Sequence, residues 1–359
     1  MGTRPNYIKI TQFKKVADRQ FKNQFDIKIV HTGQHFDKSM ADVFFQQLDI
    51  WPDYFLNIKP ASANHQIGEI MMKLENIITE FQPDLVIVPG DVNSTLGAAL
   101  SAYKQGVALG HLESGLRSFD RSMPEEINRI LVDEITDLFF VTEQSGIDNL
   151  LSEGKPRTKI KFVGNTMIDT LMAFEEQILS KDLLSEYDLK QGDYILMTIH
   201  RPATVDHKEG LLKLLDLLRR IPSDKKVIFP MHPRTLNNLR SFDLEHEFIG
   251  LKNLVIAKPL DYFSFQNLIH YSAVVLTDSG GIQEETTFKQ IPCLTLRPNT
   301  ERPSTITVGS NTLLDFDVAR ILEQIDTIFK GQYKTGIIPE LWDGKATERV
   351  LKAILENNN

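Results

Sequence analysis

A chain of 359 residues, 42% hydrophobic and 25% charged, has the size and balance of a globular protein with two ordinary domains. Its formal net charge of −8 excludes nucleic acid and anionic membrane as the main partner, so any affinity for phosphate must be local. The one cysteine, Cys293, leaves no disulfide within the chain. The lack of a signal peptide or an apolar run of roughly 18 residues predicts a cytoplasmic protein.

In chain order, Gly2-Thr3-Arg4-Pro5 opens a helix with Lys9 about one turn on, a start suited to an anion. β-type runs follow at 27–31, 85–89, 107–112, 138–141, 160–163, 194–198, 227–230, 254–257, 274–277 and 293–296. Helical patterns lie between them at 65–81, 125–137, 166–180, 207–220 and 263–271, with a last one at 344–356. This alternation predicts βαβ units and parallel sheets covered by helices. Ten strands overfill one sheet, so the expected fold class is α/β, with two doubly wound Rossmann-like domains facing a cleft. The expected boundaries are 1–170, 171–343 and a C-terminal helix, 344–359, that packs back on the first domain.

Ligands of parallel α/β sheets sit beyond the carboxyl ends of the strands. Asp91 follows the second run, Glu113 the third, and Met123-Pro124-Glu125-Glu126 opens the next helix, which puts three carboxylates at one sheet edge. Each has an ordinary structural alternative: Asp91 precedes the cap Asn93, Glu125 beside Pro124 suits a first helical turn, and Arg129 lies at i+4 from Glu125. In the second half, the run 274–277 stops at Asp278, and Ser279-Gly280-Gly281 forms a tight turn in which Ser279 caps a helix. Such a turn against a helix start is an anion site, and Glu285, about two turns in, reaches toward ribose hydroxyls. His200-Arg201-Pro202 and His232-Pro233-Arg234 each follow a strand, and Arg297 with Thr300-Glu301-Arg302-Pro303 follows another. Together they read as a diphosphate cradle. Neither HExxH nor CxxC occurs, so no metal site is expected.

These motifs, in this order, resemble the non-hydrolysing UDP-N-acetylglucosamine 2-epimerases: GTRP with Lys9, HTGQH (31–35), PGD (89–91), GHLESGLR (110–117), MPEEINR (123–129), HRP (200–202), HPRT (232–235), LTDSGGIQEE (276–285) and TERP (300–303). The resemblance spans essentially the whole chain. It implies a glycosyltransferase B type fold, a homodimer, a UDP-sugar substrate and no cofactor. It implies Asp91, Glu113 and Glu125 as catalytic carboxylates assisted by His200, and Arg4, His232, Ser279, Gly280, Gly281 and Glu285 as UDP ligands, joined by Lys9, Arg234 and Arg302. A regulatory second UDP-GlcNAc site of bacterial members is matched here at Gln34, His35 and Arg201. Phe36 and Asp37 replace its polar or basic partners, which argues against allosteric activation. The residues alone ask for the same chemistry. The C2 hydrogen of a 2-acetamido sugar nucleotide becomes acidic only as UDP leaves, so a cationic cradle and carboxylates on both faces of C2 are needed.

The short LRSF segment after Glu113 also occurs in epimerases of UDP-2,3-diacetamido-glucuronic acid, the nearest rival substrate. A glycosyltransferase of the same fold is a second rival, and a nucleotide-sugar sensor a third that leaves the three acids unexplained. In the resembled family an apolar strand precedes GTRP at the centre of the first sheet. The sequence here begins Met1-Gly2-Thr3-Arg4, so a start short of that strand is expected, with a gap beside the segment at 27–31.

Overall fold

The computed structural model describes residues 1–33 and 38–357. It divides into two compact units, Met1–Ala173 with Glu340–Asn359, and Phe174–Pro339. The cut falls inside the helix expected at 166–180, which is two helices, Thr166–Ala173 and Glu175–Leu179. Phe174 leaves helical geometry between them at φ −115°. Its ring packs 5.2 Å from Phe263 of the second unit, so tertiary packing overrides the local helical pattern.

The second unit holds six parallel strands in the spatial order Asn311–Leu313, Cys293–Thr295, Val274–Thr277, Tyr194–Thr198, Lys226–Pro230, Leu254–Ala257. Counted along the chain this is the doubly wound order, which reverses between Tyr194–Thr198 and Val274–Thr277. On one face, Leu211, Leu214 and Leu218 of the amphipathic helix Lys208–Arg220 join Ile195, Val227 and Phe229. On the other, Leu268 and Ile269 of the helix Tyr262–Tyr271 meet Leu196, Ile228 and Val275. Cys293 is fully buried within this sheet, and burial pushes its thiol up to about 11.

The first unit has a four-stranded parallel sheet, Leu85–Pro89, Ala108–Leu112, Leu138–Val141 and Ile160–Phe162, and a separate parallel pair, Val30–His31 with Tyr54–Phe55. Of the strand expected at 27–31 only Val30–His31 is in a ladder. Its partner Tyr54–Phe55, like Asn311–Leu313 of the second unit, was not among the expected strands. The C-terminal helix Ala346–Asn357 sets Val350, Leu351 and Ile354 against Phe13, Val16 and Phe21. Asp169 fixes its start, accepting from the N–H groups of Ala346 at 3.1 Å and Thr347 at 2.6 Å. Among the described residues no helix is long and apolar enough to cross a membrane.

Candidate active site

Asp91 and Glu113 leave the carboxyl ends of the adjacent strands Leu85–Pro89 and Ala108–Leu112, and each faces a cation. Asp91 pairs with the buried Arg129 guanidinium. Glu113 accepts from Lys9 Nζ at 2.7 Å, with both side chains buried. Glu113 also sits at φ +69°, a left-handed conformation that costs a non-glycine residue about 1–3 kcal/mol and gathers at functional sites. A second conformational demand falls at Gly90, φ +68°, where an added Cβ would meet Lys9 Nζ at 3.0 Å. The chain must therefore turn tightly between Pro89 and Asp91 to leave room for the lysine.

The two glutamates at the start of the helix Pro124–Glu134 have different surroundings. Glu126 is buried and accepts from Ser118 N, Ser118 Oγ and Phe119 N, each at 2.9 Å, while pairing with Arg129. It holds the loop after Glu113 closed. Glu125 is exposed in the first turn. Arg129 thus bridges Glu126, at i−3, and Asp91, rather than serving only as the i+4 partner of Glu125 considered above.

Beneath these acids lies a buried charge cluster that sequence reading did not single out. Asp133 accepts from Gly115 N at 3.0 Å and pairs with His111 Nδ1 and Arg117 Nη1, both at 2.7 Å. His111 Nε2 lies 2.8 Å from the Gly90 carbonyl, so both of its ring nitrogens are placed to donate. Burial by itself raises the Asp133 carboxyl, but His111 and Arg117 outweigh it and hold the group below the usual carboxylate range. One carboxylate therefore ties the turn carrying Asp91 to the turn carrying Glu113. The sequence signal was present, since both His111 and Arg117 lie inside the GHLESGLR run.

In the second unit, the residues after Tyr194–Thr198 and after Val274–Thr277 meet where the strand order reverses. The fully buried Asp278 accepts from His200 N at 2.9 Å and Arg201 N at 2.7 Å, and its Oδ1 lies 3.3 Å from His200 Nδ1. The rings of His200 and His232 are 6.1 Å apart, which brings the two His-Arg sets together. Ser279 occupies the N-cap position of the helix Gly280–Lys289, but its side chain makes no cap bond, contrary to the expected cap. The first-turn N–H groups are thus not spent on that hydroxyl, as an anion site requires. An added Cβ at Gly280 would lie 2.8 Å from both Arg302 Nη1 and Glu301 Oε1, so a larger residue there would push this cluster away from the helix start.

Arg302 is buried between Glu284, 2.6 Å from its Nε, and Glu301, which also accepts from Arg297 at 3.0 Å. Burial lowers the Arg297 guanidinium from its ordinary range. Glu285 is buried one position on, and Gly281 lies in the first turn. Arg234 is turned toward Asp206, which holds its guanidinium in two bonds, while its backbone N–H donates to His232 Nδ1 at 3.1 Å. Gln34 and His35 lie outside the described residues, as does the side chain of Arg4. Among the described residues no group of three His, Cys, Asp or Glu could hold a metal ion.

Residues 18–355 match the family model described as UDP-N-acetylglucosamine 2-epimerase. The chain is 36% identical over 362 residues to the UDP-N-acetylglucosamine 2-epimerase of Methanocaldococcus jannaschii, covering 99% of this chain and 97% of that one. It is 38% identical over 333 residues to the UDP-2,3-diacetamido-2,3-dideoxy-D-glucuronate 2-epimerase of Pseudomonas aeruginosa, covering 91% and 90%. Among solved structures, the Methanocaldococcus jannaschii UDP-GlcNAc 2-epimerase in complex with UDP-GlcNAc and UDP superposes with a TM-score of 0.90 at 35% identity, covering 99% and 98%. The Neisseria meningitidis enzyme bound to UDP-GlcNAc does so at 0.85 and 30%, with the same coverage. Matched from end to end in sequence and in its α/β fold, the chain belongs to the UDP-N-acetylglucosamine 2-epimerase family.

Proposed function

We propose that this protein interconverts UDP-N-acetylglucosamine and UDP-N-acetylmannosamine by eliminating UDP and adding it back across a glycal. The observation that carries the reading is the pair of strand-end acids, Asp91 and Glu113, each set against its own cation and joined at one sheet edge by Asp133. In the forward step the C1–O bond breaks and its electron pair leaves on UDP. A carboxylate takes the C2 proton, and the C–H electrons become the C1=C2 bond. Readdition with protonation of the opposite face of C2 gives the epimer, so acids are needed on both faces. Asp91, Glu113 and the exposed Glu125 supply them. The second unit stabilises the charge on departing UDP through the open helix start at Gly280, with His200 and His232 beside it. A cytoplasmic homodimer feeding ManNAc-derived surface polysaccharide belongs to the same reading.

The Pseudomonas relative raises a UDP-diacetamido uronate as the rival substrate. Its C5 carboxylate asks for an uncommitted cation near the acids, and Arg117 is buried and spent on Asp133 and Glu153. That commitment takes Arg117 out of the choice and leaves the exposed Arg121 as the candidate partner for such a carboxylate. Incubation with each sugar nucleotide in heavy water, followed by NMR, tests both points. The expected result is turnover of UDP-GlcNAc, with solvent deuterium at C2 of product and of recovered substrate. Retention of the original C2 hydrogen would remove the proton-transfer roles of the acids, and turnover of the uronate alone would reassign the substrate.

Glu285→Gln should weaken UDP binding by about one to two decades, the worth of roughly 1.5–3 kcal/mol for a hydrogen bond to a charged group. Calorimetric titration showing unchanged affinity would remove Glu285 from the ribose.

A further inference from the structure

Three successive carbonyls at the end of the strand Leu85–Pro89, those of Pro89, Gly90 and Asp91, each meet a side-chain donor from elsewhere in the first unit. Pro89 O accepts from Thr95 Oγ1 at 2.8 Å and from Asn6 Nδ2 at 3.2 Å. Gly90 O lies 2.8 Å from His111 Nε2, and Asp91 O accepts from Asn128 Nδ2 at 2.9 Å. The helix that follows supplies no local lock. Its N-cap is Val92 rather than Asn93, and it makes no side-chain cap bond.

Asn128 differs from the other donors in holding Asp91 itself. It is buried on the helix Pro124–Glu134 beside Arg129, whose guanidinium pairs with the Asp91 carboxylate. Adjacent residues of one helix thus grip the acid at both ends, Asn128 at the backbone carbonyl and Arg129 at the carboxylate. An Asp side chain turns about two bonds, so a hold on the carboxylate alone leaves the backbone free to shift beneath it. The amide removes that freedom and adds no charge beside the acid. The same helix carries Glu125 in its first turn, and its Asp133 binds Gly115 N, two residues past Glu113. One rigid element is therefore the common reference for all three acids.

We infer that Asn128 is a positioning residue for Asp91, setting the angle at which this carboxylate meets C2 of the sugar. The inference rests on the proposed epimerase reaction. Since any buried carbonyl needs a donor, the decisive measurement is one that an unpaired backbone alone would not move.

A double-mutant cycle supplies it. A misplacement of about 1 Å can cost about 10²-fold in rate, so Asn128→Ala should lower kcat for UDP-GlcNAc by about 10–100-fold. KM should change by less than about twofold, because the lost interaction is one that orients the reacting group. In an Asp91→Asn background the same substitution should lower kcat by less than about twofold further, because the carboxylate it aims is already gone. Asn128→Asp has the same shape but turns an acceptor toward the Asp91 carbonyl. It replaces Asn128→Ala in the cycle if calorimetry finds the alanine variant unfolded at the assay temperature. Losses that multiply across the cycle, or full kcat in the Asn128 variant, overturn the inference and leave the epimerase reading intact. Full kcat in Asp91→Asn, or no epimerisation by the unsubstituted chain, overturns both.

Discussion

Asp91→Asn, Glu113→Gln and Glu125→Gln are each expected to lower kcat by about 10²–10⁴, the usual worth of a positioned acid or base. The three should differ in stability, because their surroundings differ. Glu125 is exposed in the first turn of its helix, so Glu125→Gln should lose activity with an unchanged melting temperature. Glu113→Gln leaves the buried Lys9 ammonium without its carboxylate, and removing one member of a buried pair typically costs about 3–5 kcal/mol. Asp91→Asn leaves Arg129 with Glu126, so its loss of stability should fall between the other two. Steady-state kinetics with parallel calorimetry separates the contributions. Normal turnover in Glu125→Gln would end its catalytic role.

Asp133→Asn should be as destabilising as Glu113→Gln. The buried carboxylate faces His111 and Arg117 and accepts from Gly115 N, so an amide of equal shape takes the anion from both and leaves the buried Arg117 with Glu153 alone. A loss of about 3–5 kcal/mol is expected from denaturant unfolding. The pH dependence follows from the depressed carboxyl. Its stabilisation is complete above the unfolded carboxylate value of about 4 and is lost as pH falls through the lower folded value. The variant should lack that share of acid lability. A loss below about 1 kcal/mol would mean that Glu153 alone suffices for Arg117 and that the cluster holds without the Asp133 charge.

Strand ends were the most legible feature of the sequence, because an apolar run followed by a small or charged residue marks both the period and its stop. That is why His200, His232, Asp91 and Glu113 could be placed beside their strands from the sequence. Non-local pairing was hidden. Nothing around Arg234 announces that Asp206, on a preceding loop, takes its guanidinium, and Asp278 read as a strand terminator although it binds two backbone N–H groups from another strand end. Glu125 and Glu126 are indistinguishable as adjacent letters, and the helix's facing alone buries one and exposes the other. Tyr54–Phe55 and Asn311–Leu313 are too short for any period to show.

Cys293 has a consequence for experiment. It is the only thiol in the sequence, fully buried beside Val275 and Asn311 in the second unit's sheet, and its reactive thiolate form is suppressed at neutral pH. A thiol reagent can therefore reach it only during an opening of that sheet, with no competing site elsewhere. The rate of labelling under native conditions becomes a clock for excursions of the second unit alone. Comparing that clock with and without UDP would test whether the proposed nucleotide site holds this unit closed, independent of turnover.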